Sequence, residues 1–277
     1  VPEGDTILRA ARALNQALAG RTVTRFESVF PRLTRIDDDT PLRGRTVERV
    51  EARGKHLLMW FSGDLVLHTH MRMHGSWHIY RPGERWRRPH HDMRIVIETE
   101  GMHAVAFDVP VAAFATGASL ARIPALRDLG PDPLTASFAA DDAVARILSK
   151  GELDIAEALL DQSAMAGLGN IFKSEVLFAG RVNPFAKVRD LTRDDIVRLV
   201  GLAAKFLRAN VRPESAGMAT YGGLRRTTGR PDPGARFWVY GRAGKPCRRC
   251  GTPIARQRQG VNARSTYWCP RCQEARA

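Results

Sequence analysis

Apolar residues recur at helical spacing near the start of the chain, at Ile7, Ala11, Leu14 and Leu18. Asp5 or Thr6 stands where a cap is needed, and Gly20 where the helix must stop. The period then shortens to the alternation of strands over Thr46–Val50, Leu57–Phe61, Leu65–Thr69, Met93–Glu98 and His103–Phe107. Gly54, Ser62-Gly63, Gly75 and Glu100-Gly101 punctuate these runs at turn positions. One helix followed by strands predicts a β-sandwich domain over residues 1–120, with the helix buried against it. After Pro124 the helical period returns in 140–149, 153–160, 167–179 and 191–209, most clearly in Ile196, Leu199, Val200, Ala203 and Leu207. Residues 210–236 are rich in Gly, Pro, Arg and Thr without an apolar period, which predicts a mobile loop or linker closing a helical domain at 125–232. The expected class is α+β and multidomain, with a small appendix at 233–277.

That appendix holds all four cysteines, as Cys247-x2-Cys250 and Cys269-x2-Cys272. Two knuckles at tetrahedral ligand spacing predict a four-cysteine site for one structural Zn2+. The intervening Gly260-Val261-Asn262-Ala263-Arg264-Ser265-Thr266-Tyr267-Trp268 reads as the turn and return strand of a hairpin. A metal can hold such a hairpin rigid where so small a segment buries too little apolar surface by itself. A ribbon with no part in chemistry is the plainer reading, until Arg264 is explained.

Charge narrows the partner. Forty-three Lys and Arg against twenty-nine Asp and Glu leave +14, the excess a polyanion binder uses to displace condensed counterions. No apolar run approaches the ~20 residues of a membrane-spanning helix, and no signal peptide stands at the start, so no membrane partner is expected. Cysteine is absent from the first 246 residues, which argues against a disulfide-built secreted protein. The expectation is an intracellular nucleic-acid protein, cytoplasmic or nucleoid-associated.

Several residues could carry chemistry. Pro2, if Val1 is removed, offers a secondary amine whose attack on an aldehyde-like carbon yields an iminium, an electron sink needing no further proton loss. An α-amine is far less basic than lysine and so is more often unprotonated at neutral pH. Glu3 would stand beside it as general acid or base. Taken alone, Pro2-Glu3 equally suits the start of a helix. Lys55 begins an apolar strand, where a lysine is ordinarily just solvated. Gly167-Leu168-Gly169-Asn170 opens the Ile171-Phe172-Lys173-Ser174-Glu175 helix, which suits either a phosphate at a positive helix end or a simple turn. His68 and His70 alternate on a strand and His90-His91 are adjacent, but no carboxylate cluster accompanies them. That favours nucleic-acid contacts or ordinary polar positions over a second metal.

Together these pieces resemble the formamidopyrimidine-DNA glycosylase and endonuclease VIII repair enzymes over essentially the whole chain. The carriers are Pro2-Glu3-Gly4, Gly54-Lys55-His56-Leu57-Leu58, Leu129-Gly130-Pro131-Asp132-Pro133-Leu134, Gly167-Leu168-Gly169-Asn170-Ile171, and Arg264-Ser265-Thr266 running into Cys269-Pro270-Arg271-Cys272-Gln273. The opening Pro2-Glu3-Gly4-Asp5-Thr6 looks more like the endonuclease VIII branch, which favours oxidised pyrimidines. The resemblance implies a β-sandwich, a helix–two-turn–helix domain and a zinc hairpin. It implies a bifunctional glycosylase and AP lyase of base excision repair that works through a Pro2 Schiff base and β,δ-elimination.

By the same resemblance Glu3 protonates the sugar ring oxygen and Lys55 is an active-site cation. Asn170 and Arg264 grip the phosphate of the flipped nucleotide, Arg264 bidentately. Chemistry on a base requires its extrusion, and something must fill the gap. Met71-Arg72-Met73-His74 is the implied insertion loop, with Met73 as the wedge between Arg72 and His74. His90 is an implied DNA contact, and residues 210–236 match the region that covers the everted base.

Two departures shape what is expected. A retained Val1 would make the Pro2 nitrogen a tertiary amide; a valine written at a non-standard start codon, decoded as Met and trimmed, would expose it, and that is the expectation. Many relatives in the 8-oxoguanine branch carry Arg and Phe in a second insertion loop, whereas this chain reads Asp108-Val109-Pro110-Val111-Ala112-Ala113-Phe114. Weak opposite-base preference follows, with damaged DNA in duplex, single-stranded or bubble form as partner of a monomer. The alternative from another class is a catalytically silent DNA-damage or junction-binding protein.

Overall fold

The computed structural model describes residues 2–211, 225–230 and 232–275. The expected mobile region at 210–236 therefore lies partly outside the described residues, as does Val1. The chain divides into two compact units, one running to Arg127 and the other comprising Asp128–Asn210 and the terminal segment.

The first unit opens with α1 (Gly4–Leu18). The cap is Glu3 rather than Asp5 or Thr6: the Glu3 carbonyl accepts Thr6 N at 2.8 Å and Ile7 N at 3.1 Å, and no side chain caps. Asp5 and Thr6 lie buried inside the first turn, where the Asp5 carboxylate favours the positive end of the helix dipole. Eight strands follow: β1 (Val23–Ser28), β2 (Val47–Arg53), β3 (His56–Phe61), β4 (Leu65–His70), β5 (Ser76–Tyr80), β6 (Met93–Thr99), β7 (Met102–Phe107) and β8 (Val111–Thr116). They form two antiparallel sheets, ordered β1-β6-β7-β5 and β2-β3-β4-β8, which is the expected sandwich. Its core joins Ile7, Leu14 and Leu18 of α1 to Leu57, Met59, Phe61, Leu67, Trp77, Ile95 and Ile97.

Three strands and three helices of this unit were not expected. In β1, polar Arg25 and Glu27 interrupt the apolar signal, and the strand is stitched instead by Arg25 pairing with Glu98 at 2.9 Å. In β5, Ser76, Trp77, Ile79 and Tyr80 are all buried, so no alternation marks it. In β8, the partly buried run shows no two-residue period. Helix α2 (Pro31–Asp39) buries only Leu33 and starts on Pro31. Short α3 (Gly117–Leu120) and α4 (Pro124–Arg127) close the unit.

The second unit contains α5 (Ala140–Leu148), α6 (Ile155–Ala158), α7 (Asn170–Gly180) and α8 (Arg193–Asn210), with the hairpin β9 (Ala255–Gln259) and β10 (Arg264–Trp268). The helix expected over 153–160 is only the four residues of α6. Gln162 organises the turns between α6 and α7: its Nε2 donates to the carbonyls of Leu160 (2.8 Å) and Leu168 (3.1 Å), and its Oε1 accepts Gly167 N at 3.1 Å. Gly167 sits at φ +85°, which a side chain would strain. Helix α7 is buried on nearly every side. Phe172, Val176 and Leu177 join the helical core, while Phe178 packs with Val239, Cys247, Ile254 and Cys269.

Candidate functional site

In the first unit, Pro2 and Glu3 are buried at the head of α1, Glu3 to 1 % exposure. That helix packs on β2 and β3. The two strands pair up to Arg53↔His56, which leaves Gly54 and Lys55 as a two-residue hairpin turn. Gly54 takes φ +57° there, so the glycine before Lys55 serves the turn. Lys55 is half-buried at a hairpin end, not free on a strand.

The pairing also brings together histidines that sequence spacing separates. His56 stands opposite His70, and its Nδ1 lies 2.8 Å from His68 Nε2. Its ring centroid is 4.8 Å from that of His70. Burial, with His70, His68 and Lys55 adding positive charge nearby, pulls His56 down to about 3. Burial and Lys55 pull His70 down to about 4. The cluster is therefore neutral at physiological pH. His70 Nδ1 accepts Arg72 N at 3.1 Å, which places its proton on Nε2. His56 was missed from sequence; the turn at Ser62-Gly63-Asp64, which pairs Phe61 with Leu65, was the signal that sets it opposite His70.

Next along the chain, Met71 is buried while Arg72, Met73 and His74 are exposed on a turn, with Arg72 at φ +47°. Gly75 closes the turn by donating N–H to Met71 O at 2.9 Å, and a Cβ there would meet that oxygen at 2.6 Å. A buried methionine thus anchors a loop that presents a second, 41 % exposed methionine. His90 is exposed but stacked on Trp86, with centroids 4.2 Å apart. Asp108 is ion-paired with Arg88 at 2.5 Å and Arg94 at 3.5 Å.

In the second unit, Asn170 is the first residue of α7 and its Nδ2 donates to Ser265 O at 2.8 Å. Arg264, exposed at the start of β10, shares the strand face of Thr266, since side chains two apart point the same way. Thr266 is fully buried. The segment leading into the knuckles is fastened by Glu175, whose carboxylate accepts the N–H of Trp238 (2.8 Å), Val239 (2.9 Å) and Tyr240 (2.8 Å), and the Thr227 hydroxyl. Burial pushes its pKa up; the four donors act against that shift.

The four cysteine sulfurs all lie within 4.8 Å of one another, with Cys250 and Cys269 at 3.4 Å and Cys247 and Cys272 at 4.0 Å. Tetrahedral Zn–S bonds of about 2.3 Å require sulfur separations of roughly this size. Burial and the neighbouring thiols push Cys272 up to about 12, so four thiolates coexist here only around a cation. Among the described residues this is the group arranged to hold a metal, and the histidines are not. Gln273 ties the second knuckle down: its Oε1 accepts Cys269 N at 3.0 Å and its Nε2 donates to Val182 O at 2.8 Å. No helix among the described residues is long and apolar enough to cross a membrane.

Comparison with known proteins agrees with this layout. Residues 1–110 match the formamidopyrimidine-DNA glycosylase N-terminal domain, 129–221 its H2TH domain, and 244–275 the zinc finger found in FPG and IleRS. A "Probable endonuclease 8 2" of Streptomyces coelicolor is 43 % identical, covering 99 % of this chain and 94 % of that protein. The "DNA-(apurinic or apyrimidinic site) lyase Nei2" of Mycolicibacterium smegmatis is 38 % identical, covering 99 % and 100 %. The fold matches Lactococcus lactis formamidopyrimidine DNA glycosylase bound to abasic-site DNA, with TM-score 0.80, 22 % identity and coverage of 99 % and 100 %. Helix-capped sandwich, helix–two-turn–helix and zinc hairpin, in that order and matched end to end by such relatives, place this chain in the formamidopyrimidine-DNA glycosylase/endonuclease VIII family of DNA repair glycosylase-lyases, with one structural zinc.

Proposed function

We propose that this chain excises oxidised pyrimidines from DNA and nicks the strand at the same site, with Pro2 as nucleophile. The observation that carries the reading is the Pro2-Glu3 pair, buried at the head of the helix that packs on the Gly54-Lys55 hairpin. Its secondary amine, once Val1 is removed, attacks C1′ and the bond to the base breaks, the base leaving with the electron pair. Glu3 protonates the ring oxygen as the sugar opens, giving an iminium. The iminium acidifies C2′; loss of that proton expels the 3′-phosphate, and a second elimination expels the 5′-phosphate. Water then hydrolyses the Schiff base and frees Pro2. Lys55 holds the sugar and its phosphate, or donates a proton to them.

Asn170 and Arg264 grip the phosphate of the extruded nucleotide, and Met73, flanked by Arg72 and His74, fills its place in the stack. His90 is a further DNA contact, made by an imidazole stacked on Trp86. Cys247, Cys250, Cys269 and Cys272 hold the zinc, which supplies rigidity to the hairpin bearing Arg264. The relatives named endonuclease 8 and apurinic-site lyase support both halves of the activity. The lack of arginine over 108–114 supports weak opposite-base preference and action on single-stranded or bubble DNA.

The test is strand scission on oligonucleotides carrying an oxidised pyrimidine, 8-oxoguanine or an abasic site, in single-stranded and duplex form, with the ends identified. Phosphate at both ends and preference for the pyrimidine lesion support the reading. Cleavage of abasic DNA alone, or a strong dependence on the opposite base, would contradict it.

A further inference from the structure

Lys173 lies three residues into α7 from Asn170 and is 1 % exposed. A lysine is rarely buried without acceptors arranged around its ammonium. Here Nζ donates to Asn170 Oδ1 and to Thr266 Oγ1, both at 2.8 Å, with Ser265 O at 3.5 Å. Asn170 in turn gives a hydrogen of Nδ2 to Ser265 O at 2.8 Å. The two ends of an asparagine amide have nearly the same shape, so their partners alone decide which way it points. Turned over, this amide would set its NH2 against the ammonium and its carbonyl against a carbonyl.

We propose that Lys173 is a positioning residue for DNA binding. Its ammonium locks and polarises the Asn170 amide, so that the second Nδ2 hydrogen is presented to a phosphate. The inference rests on the reading of Asn170 as a phosphate ligand. A cation on the carbonyl end draws electrons from the amide nitrogen and strengthens its N–H as a donor to an anion. The network continues beyond Lys173. Thr266 Oγ1 donates to Gln259 Oε1 at 2.8 Å, and Gln259 Nε2 donates to Asp154 Oδ2 at 2.8 Å. Asp154 is closed by an ion pair with Lys187 at 2.8 Å. Thr266 and Arg264 share one strand face. The ammonium that orients Asn170 is thus itself held by β10, while the ladder to β9, from Arg264 opposite Gln259 to Trp268 opposite Ala255, keeps the Arg264 strand in place without it.

The test is equilibrium binding of the zinc-loaded full chain to a duplex with a tetrahydrofuran abasic analogue, over a salt series. Wild type is compared with Lys173→Met, Asn170→Ala and the double variant, and zinc content is measured for each. Lys173→Met is expected to weaken binding about tenfold, and Asn170→Ala by a similar factor. The double variant should fall within about twofold of Asn170→Ala alone, since coupled residues are not additive. The salt slope of Lys173→Met stays at the wild-type value, because no phosphate contact of its own is lost. Lys173→Gln, which keeps a neutral donor in the pocket, is put through the same cycle in case the methionine variant loses zinc. An equal loss in both backgrounds, or no loss, overturns the proposal. If Asn170→Ala alone leaves binding unchanged, the phosphate reading of Asn170 has failed first, and the inference falls with it.

Discussion

In the first unit Pro2, Glu3 and Lys55 belong to a helix and a hairpin held by apolar packing: Ile7, Leu14 and Leu18 against Leu57, Met59 and Phe61. In the second unit Asn170 and Arg264 are held by polar groups: a buried ammonium, a buried carboxylate with four donors, and four sulfurs set for zinc. Apolar packing is tolerant of detail and places an element. Buried polar networks are intolerant, and they fix a single side-chain orientation. The chemistry assigned to the first unit needs a proton and a lone pair in a dry place; the phosphate grip assigned to the second needs donors aimed within tenths of an ångström.

The sharpest way to separate the two is to disable each. Glu3→Gln keeps shape and helix start and is expected to lower base excision about 10²–10⁴-fold, as loss of a general acid does, while abasic-DNA affinity stays near wild type. Excision and binding assays on one preparation check it. Stripping zinc should do the reverse. It unfolds the hairpin and weakens DNA binding on the order of a hundredfold, while the circular dichroism of the sandwich and its own melting transition persist. Arg264→Ala should cost about tenfold in affinity and reduce the salt slope by about 1, read from binding isotherms at several salt concentrations.

The histidine cluster gives a smaller effect confined to the first unit. His56 is held at about 3 and His70 at about 4, against 6.5 unperturbed. Between those values the unfolded chain binds protons that the folded one refuses, so stability rises with pH across the window. It is whole above 6.5 and is lost as pH falls toward the folded values, at up to about 1.4 kcal/mol per pH unit for each group. The thermal midpoint of the sandwich should drop through that range, and more shallowly in His56→Gln.

The same contrast explains what could be read from the chain beforehand. Helix α1, five of the sandwich strands, α8 and the cysteine knuckles announce themselves, because one-sided burial or ligand spacing leaves a period. Strand β5 does not, since Trp77, Ile79 and Tyr80 are buried alongside Ser76. Helix α2 hides because it buries one leucine. At the site, Pro2-Glu3, Lys55, Asn170 and Arg264 were named from ordered motifs. Lys173 and Glu175 were not, because on an α-helix a Lys and a Glu look like solvated charges. Only the hairpin packed on α7 and the knuckle segment beside it turn them into buried partners. His56 became part of a cluster only through strand register.

The most direct measurement of the central claim is borohydride trapping of the protein on abasic-site DNA, followed by mass analysis of the N-terminal peptide. The account predicts a chain beginning at Pro2, with the reduced adduct on that residue's nitrogen and none formed by Pro2→Gly at a comparable rate. An adduct mapped to Lys55 or another lysine, or no adduct from protein verified to begin at Pro2, would contradict it.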